Sequence, residues 1–228
     1  MLPPGFYCER LGLGPWDEPL NALSNFGFLL AAGWLGWRQA PRSGRAAGAV
    51  RLLAGLLALV GLASLSFHTR ATTFTQILDV AFIGLFNVVY LVLFGRLVLA
   101  WTRRGAALAA LAFVAIDQLR GLLLPAGFLY GSAMYLPPLL VLLLLAGAAR
   151  RRSPAAAAQM LQAAAVFSIS LLARTLDRPL CPLWPAGLHF VWHLLNAWVL
   201  LRLVTAFALG AVTVASPDPG ARHAEDRR

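Results

Sequence analysis

The 228-residue chain contains no lysine, and all 19 of its basic residues are arginine. Without a lysine amine the chain cannot form a retinal Schiff base, which excludes an opsin-like photoreceptor. Charged residues make up only 12% of the sequence and apolar residues 60%, whereas an ordinary soluble domain is about one-quarter charged. Together with the mean hydropathy of +0.73, this composition predicts an integral membrane protein without a separate soluble domain.

The formal net charge of +10 lies in short arginine clusters between apolar runs, and not along one helix face as in a nucleic-acid-binding protein. The apolar runs lack the alternating pattern of a membrane barrel and are long enough to cross a bilayer as helices. One domain over 1–215 is predicted, followed by a disordered cytoplasmic tail over 216–228. The domain is predicted to be an all-α membrane bundle of seven transmembrane helices, with spans at 21–37, 50–68, 76–101, 106–120, 129–149, 155–173 and 187–213.

The arginines between the spans predict the orientation of the chain. Clusters follow the first, third and fifth spans: Arg38, Arg42, Arg45 and Arg51, then Arg103 and Arg104, then Arg150, Arg151 and Arg152. The positive-inside rule places these loops in the cytoplasm, so the N-terminus is predicted to lie outside and the C-terminus inside. Abundant alanine, glycine, arginine and proline without lysine is typical of a GC-rich genome, and we expect a bacterial inner membrane.

A few polar side chains fall inside the predicted spans, where each ionisable group is costly and needs a reason. His68 ends the second span, Asp79 lies near the start of the third, and His189 and His193 open the seventh. In the predicted orientation all four lie at one depth, near the outer, periplasmic face. His189 and His193 have the i, i+4 spacing with which one helix gives two ligands to a metal. Ser64 lies one turn before His68 and shares its face.

Three neutral imidazoles that leave one coordination position open are the ligand set of a catalytic zinc site. We therefore predict that His68, His189 and His193 bind Zn²⁺, with Asp79 supporting a ligand or the reacting water. A single histidine at the end of a span is usually an interfacial residue. Three histidines at one depth beside a carboxylate favour the metal.

The chain has two cysteines, Cys8 and Cys181, and both fall on the predicted outer side of the membrane. Oxidation is permitted in that compartment, so we predict that the two form a disulfide. Two unpaired thiols are the alternative.

In the order of its motifs the chain resembles the alkaline ceramidase family, within a superfamily of seven-span membrane hydrolases that includes the adiponectin-receptor relatives. The resemblance implies a membrane amidase that hydrolyses the N-acyl bond of ceramide to a sphingoid base and a fatty acid. The resemblance also implies that the three histidines bind zinc and that Ser64 and Asp79 are the catalytic residues. The motifs are Tyr7-Cys8-Glu9, Glu18-Pro-Leu-Asn21-Ala-Leu-Ser24-Asn25, Ser64-Leu-Ser-Phe-His68 with Asp79 eleven residues on, and His189-Phe-Val-Trp-His193.

Two other functions stay open at this stage. A different lipid hydrolase of the same superfamily, acting on an ester or another N-acyl lipid, would share the site and differ in its pocket. A seven-span receptor without turnover would bind the metal alone. The partner that the sequence indicates is a membrane lipid substrate, and no nucleic acid is expected.

The resemblance also implies a calcium site in the segment before the first span. Glu9, Asp17 and Glu18 lie there, and grouped carboxylates attract a hard cation such as Ca²⁺. The alternative is that they cap the N-terminus of the first helix, where negative charge favours the helix dipole.

Overall fold

The computed structural model describes residues 5–39, 44–125 and 127–215. The predicted tail over 216–228 and Arg42 of the first predicted cytoplasmic loop lie outside the described residues. The described chain is helical and contains no strand. Its α-helices are α1 (Pro19–Ser24), α2 (Phe26–Trp34), α3 (Arg45–Arg70), α4 (Thr73–Leu97), α5 (Arg103–Leu123), α6 (Leu136–Ala149), α7 (Pro154–Leu180) and α8 (His189–Ala215).

Six helices among the described residues are long and apolar enough to cross a membrane. They are α3, α4, α5, α7, α8 and the unit in which a 3₁₀ segment, Phe128–Tyr135, leads into α6. The prediction of a multi-pass membrane protein is thus confirmed at this level. The helices follow the apolar runs of the sequence, although α7 continues to Leu180, well past the predicted end at 173.

The first predicted span, 21–37, is divided into shorter helical pieces. α1 gives way to α2 at Asn25, and a π-helical turn over Leu35–Gln39 follows α2. The side-chain amide of Asn25 donates to the carbonyl oxygens of Asn21 (2.7 Å) and Ala22 (3.4 Å). Such local bonds compete with the helix ladder. No piece reaches 18 residues, so the segment is not one of the six long apolar helices.

A tight turn brings the end of α3 beside the start of α4. Ala71 takes a left-handed conformation with φ of 45°. Thr72 then begins α4 with a capping box, in which the side chains of Thr72 and Thr75 each accept a hydrogen bond from the other's backbone. This turn places His68, in the last turn of α3, and Asp79, in the second turn of α4, at the same end of the bundle.

The link between α7 and α8 is held by a disulfide and a buried carboxylate. Cys8 and Cys181 form the predicted disulfide, with their Cα atoms 5.3 Å apart, so the N-terminal segment is tied to the end of α7. The Asp177 carboxylate accepts hydrogen bonds from the backbone of Leu188 (2.7 Å) and His189 (3.0 Å) and thus caps α8. The same carboxylate accepts a third hydrogen bond from the backbone of Cys8 at 3.2 Å.

Gly187 lies in this link and has no room for a side chain. Its φ of 67° is left-handed, a conformation that glycine adopts without strain. An added Cβ would lie 2.6 Å from the Cβ of Cys8 and would also collide with the Asp177 carboxylate. Glycine is therefore required for the link to approach both residues.

α8 is the central helix of the bundle. It contacts α7, α2, α3 and α4, while α3 packs on α4 and α6 packs on α7. Small residues permit close helix approaches in a membrane, and an added Cβ at Gly61 of α3 would lie only 2.7 Å from Phe28 of α2. α5 buries only Ala106 and Phe113, so most of its apolar surface faces outward, as expected for a helix in contact with lipid.

Candidate metal centre

Three histidines meet at one end of the bundle. His68 comes from α3, and His189 and His193 come from successive turns of α8. Each offers a ring nitrogen, and these atoms all lie within 4.8 Å of one another. The three residues are buried, with exposed fractions between 1% and 3%. The predicted convergence is confirmed, and the cluster can hold a metal ion.

His68 is held by a carboxylate that was predicted above to bind calcium. Its Nδ1 lies 2.5 Å from Oε2 of Glu18, while its Nε2 is buried without a hydrogen-bond partner. A metal-ligating histidine almost always gives its other ring nitrogen to a carboxylate, a carbonyl or water. A buried polar atom without a partner costs about 1–3 kcal/mol, and a metal at Nε2 would remove that cost.

His193 is oriented by polar residues of α1. Its Nδ1 lies 2.8 Å from the hydroxyl of Ser24 and 3.1 Å from the carbonyl oxygen of Asn21. The Ser24 hydroxyl donates its own proton to that carbonyl, so both neighbours of Nδ1 act as acceptors. Nδ1 therefore carries the ring proton, and the Nε2 lone pair of His193 is left for a metal.

His189 is fixed at its backbone and on the face of its ring. Asp177 accepts a hydrogen bond from its backbone, and the Tyr7 ring stacks on its imidazole with centroids 3.9 Å apart. Its Nδ1 is buried without a hydrogen-bond partner. Burial raises the pKa of the Tyr7 hydroxyl above its usual value, so Tyr7 stays neutral. Because Tyr7 precedes Cys8 of the disulfide, the N-terminal segment is fastened over the cluster.

Arg10 and Glu18 form a buried ion pair behind His68. Each is only 1% exposed, and Nε of Arg10 donates to Oε1 of Glu18. Arg10 also donates to the carbonyl oxygens of Gly12 and His68, each at 3.4 Å. Burial by itself raises the pKa of the Glu18 carboxyl, but the hydrogen bonds from His68 and Asn21 and the charge of Arg10 bring that pKa below its usual value. Glu18 is therefore an anion.

Ser64 and Asp79 lie beside the histidines, as predicted. Ser64 is buried, and Oδ1 of Asp79 is buried without a hydrogen-bond partner. Both residues line a cavity of about 80 Å³ together with His189 and His193. A reactive bond in this cavity would meet a carboxylate, a hydroxyl and two of the three imidazoles.

The three carboxylates predicted to bind calcium do not converge. Glu9 accepts hydrogen bonds from the backbone of Leu20 (2.6 Å) and Asn21 (2.8 Å), which is the helix-capping role given as the alternative. Asp17 accepts a backbone hydrogen bond within its own loop, and Glu18 is paired as described above. Among the described residues, the histidine cluster is the only group of three or more potential metal ligands. Calcium binding stays a prediction.

Three residues that support the site were not predicted to do so. Arg10 is the only basic residue before Arg38. Its isolated position in an acidic segment could have predicted an ion pair. The sequence gives a weaker indication for Asp177, which is an acidic residue at the end of an apolar run. The stacking of Tyr7 on His189 left no signal in the sequence, because the disulfide and the Asp177 bonds decide where the segment folds back.

The chain matches no family model and no curated protein. The resemblance to the alkaline ceramidases thus stays a prediction. The site combines three histidines that could hold a metal ion with a carboxylate and a hydroxyl, which share one cavity with His189 and His193.

Proposed function

We propose that this chain is a zinc-dependent membrane amidase that hydrolyses the N-acyl bond of ceramide, or of a close N-acyl lipid, to a sphingoid base and a fatty acid. The observation that carries the proposal is the buried three-histidine cluster, two of whose members, His189 and His193, line one cavity with Ser64 and Asp79 among the membrane helices. Three imidazoles with one open position are typical of catalytic zinc, whereas structural zinc has four protein ligands. The unpartnered Nε2 of His68 fits a ligand role.

Amide hydrolysis needs an electrophilic carbonyl and a protonated leaving nitrogen. His68, His189 and His193 would hold the zinc, which when bound would supply a Lewis acid and lower the pKa of a water toward neutrality. Asp79 takes a proton from the attacking water and passes it to the leaving nitrogen, acting first as base and then as acid. The C–N bond breaks, the acyl carbon keeps the hydroxyl as a fatty acid, and the nitrogen leaves as the amine of the sphingoid base.

Ser64 has one hydroxyl proton and two successive acceptors. In the proposed mechanism it first donates to the Asp79 carboxylate, which lines the same cavity. Once Asp79 has taken a proton it is a weaker acceptor, and the hydroxyl can donate to the oxyanion that develops on the acyl oxygen. Ser64 therefore orients the base first and stabilises the transition state afterwards.

The walls of the cavity suit an acyl chain. Away from the histidines they are lined by apolar side chains that include Val60, Ile83 and Leu203. A second cavity of about 30 Å³ shares Leu142 and Leu203 with the first and continues to Phe113. Together the two cavities form an apolar route away from the reactive groups.

The proposal includes seven spans, with the N-terminus outside, the C-terminus in the cytoplasm and the site at the periplasmic face of a bacterial inner membrane. α1, α2 and the π-helical turn would together make the first crossing. The arginine clusters support this arrangement, because Arg45 begins α3 at the end opposite His68, and Arg103 begins α5. Reporter fusions in the 150–152 loop and at the C-terminus should both report a cytoplasmic location. Either one outside would refute the topology.

Metal content and turnover test the activity together. We expect the purified chain to carry one zinc and to release fatty acid from ceramide. His193→Ala should lower both, while His223→Ala, at the remaining histidine, should change neither. Asp79→Asn should keep the metal while the rate falls by about 10²–10⁴, and Ser64→Ala should cost about 10². Full activity without zinc, or unchanged turnover in Asp79→Asn, would refute the mechanism.

The same purified protein separates the alternatives. Incubation with a mixed lipid pool, followed by mass spectrometry, identifies the bond that is cleaved. Cleavage of an ester or of a different N-acyl lipid would indicate another hydrolase of the superfamily. Tightly bound zinc without cleavage of any lipid would indicate a receptor or metal-binding protein without turnover.

A further inference from the structure

A second, larger cavity of about 560 Å³ opens beside the candidate metal centre. This volume is typical of a small-molecule pocket. The cavity lies between the N-terminal segment, the end of α5, the 3₁₀ segment and the end of α7. Tyr7 and Arg174 line both this cavity and the smaller one that contains Ser64 and Asp79. The two cavities therefore adjoin, and the mechanism above uses only the smaller one.

The larger cavity, which we call the arginine vestibule, is lined by Arg120, Arg174 and Arg178. Arg120 is neutralised by Asp117, at 3.1 Å. Arg174 and Arg178 have no carboxylate within ion-pair distance among the residues that the structure describes. Asp177 also lines the wall, but its carboxylate already accepts three backbone hydrogen bonds. The vestibule thus holds two guanidinium groups that form no salt bridge with the described residues.

Arg174 is held in place by hydrogen bonds that do not use all of its N–H donors. Its Nη1 donates to the carbonyl oxygen of Tyr130 (3.2 Å) and the hydroxyl of Ser132 (3.0 Å), while its Nε is buried without a partner. Its guanidinium lies over the rings of Tyr135 and Trp192, 5.2 and 5.7 Å from their centroids. A guanidinium offers five N–H donors in a planar fork that matches the oxygens of phosphate or carboxylate. An anion at the vestibule would satisfy the donors that the protein leaves unpaired.

We propose that the arginine vestibule binds the anionic headgroup of the lipid substrate and that this headgroup carries a phosphate. The inference rests on the proposed function. If the N-acyl bond of the lipid lies at the histidines and the acyl chain fills the apolar cavity, the headgroup lies in the vestibule. A phosphate accepts charge-assisted hydrogen bonds from both arginines, whereas a hydroxyl headgroup leaves both charges without a counter-ion. Free phosphate shares this chemistry but lacks the acyl chain.

Lipid binding is measured on the full-length protein with Asp79→Asn, which suppresses turnover. Ceramide 1-phosphate and ceramide form a matched pair that differs only in the phosphate. We expect the phosphorylated lipid to bind at least about tenfold more tightly, and Arg178→Gln to weaken its binding by about 10- to 100-fold, the range for lost hydrogen bonds to a charged group. Arg178→Lys keeps the charge and should retain most of the preference.

Two controls show whether the effect belongs to the vestibule and to a lipid. Arg45→Gln removes the same charge at the opposite end of α3 and should leave the preference unchanged. Millimolar inorganic phosphate should compete poorly with ceramide 1-phosphate, because it lacks the chain that fills the apolar cavity. If phosphate competes as well as the lipid does, the site binds a free anion and the headgroup assignment is wrong.

Turnover gives a separate readout. Arg178→Gln should raise KM for ceramide 1-phosphate by about 10- to 100-fold and change KM for ceramide much less, because ceramide has no phosphate for the guanidinium to bind. Equal binding of the two lipids, or an equal effect of the substitution on both, would overturn the headgroup inference and leave the proposed amidase intact. A phosphate preference in binding without hydrolysis of either lipid would refute the amidase and leave the vestibule assignment intact.

Discussion

Glu18→Gln tests whether the carboxylate behind His68 tunes the metal site. The substitution keeps the shape of the side chain and removes its charge, so Nδ1 of His68 loses an anionic acceptor at 2.5 Å. All three imidazoles remain in place. Loss of such an outer partner costs about 10- to 100-fold in metal affinity, and we expect zinc binding by Glu18→Gln to weaken by that factor.

The same substitution should destabilise the fold through Arg10, whose guanidinium is buried against Glu18. Removing one partner of a buried ion pair costs about 3–5 kcal/mol, because the other charge is left buried without compensation. Glu18→Gln with Arg10→Met should therefore recover most of the lost stability. It should not recover zinc affinity, because His68 still lacks its carboxylate.

Zinc affinity is measured by competition with a chromophoric chelator, and unfolding is followed in metal-free protein so that bound metal does not contribute to stability. Glu9→Gln is the matched control, since Glu9 caps α1 through Leu20 and Asn21 and does not bond to a histidine. It should leave zinc affinity unchanged. Wild-type affinity in Glu18→Gln would refute the tuning role. Recovery of affinity together with stability in the double variant would show that Glu18 acts only by holding the fold.

Three further predictions concern the segment around the site. Replacing Cys8 and Cys181 by serine should lower stability by about 3–5 kcal/mol in the chain-entropy model, and alkylation of the native, unreduced protein should modify neither cysteine. Gly187→Ala should lower the thermal midpoint because of its left-handed φ and the collision with Cys8, whereas Gly55→Ala, in open space on α3, should not; equal midpoints would refute the packing argument. A calcium-selective chelator tests the calcium site predicted before α1: a fall in the midpoint would establish calcium binding, whereas an unchanged midpoint would favour the capping role that the Glu9 hydrogen bonds indicate.

The sequence by itself determined the membrane character, most of the helices and the ligand set. Long apolar runs can satisfy their backbone only as helices in lipid, so α3, α4 and α8 follow from composition. The spacing of His189 and His193 put both on one face of α8, and the orientation rule put His68 at the same end. The disulfide was predicted from the same rule, because both cysteines fall on the predicted outer side of the membrane, and the structure contains that bond.

The tertiary structure decided which partner each polar group takes. Glu18 could have bound calcium or capped a helix, and packing instead placed it between Arg10 and His68. The break at Asn25 and the extension of α7 past Arg174 were also set by contacts, because side-chain hydrogen bonds can outweigh apolar periodicity locally. The period of the apolar residues and the spacing of the polar ones determine where a residue lies along its own helix. The donor that satisfies a buried carboxylate comes from elsewhere in the chain, and only the folded arrangement brings the two together.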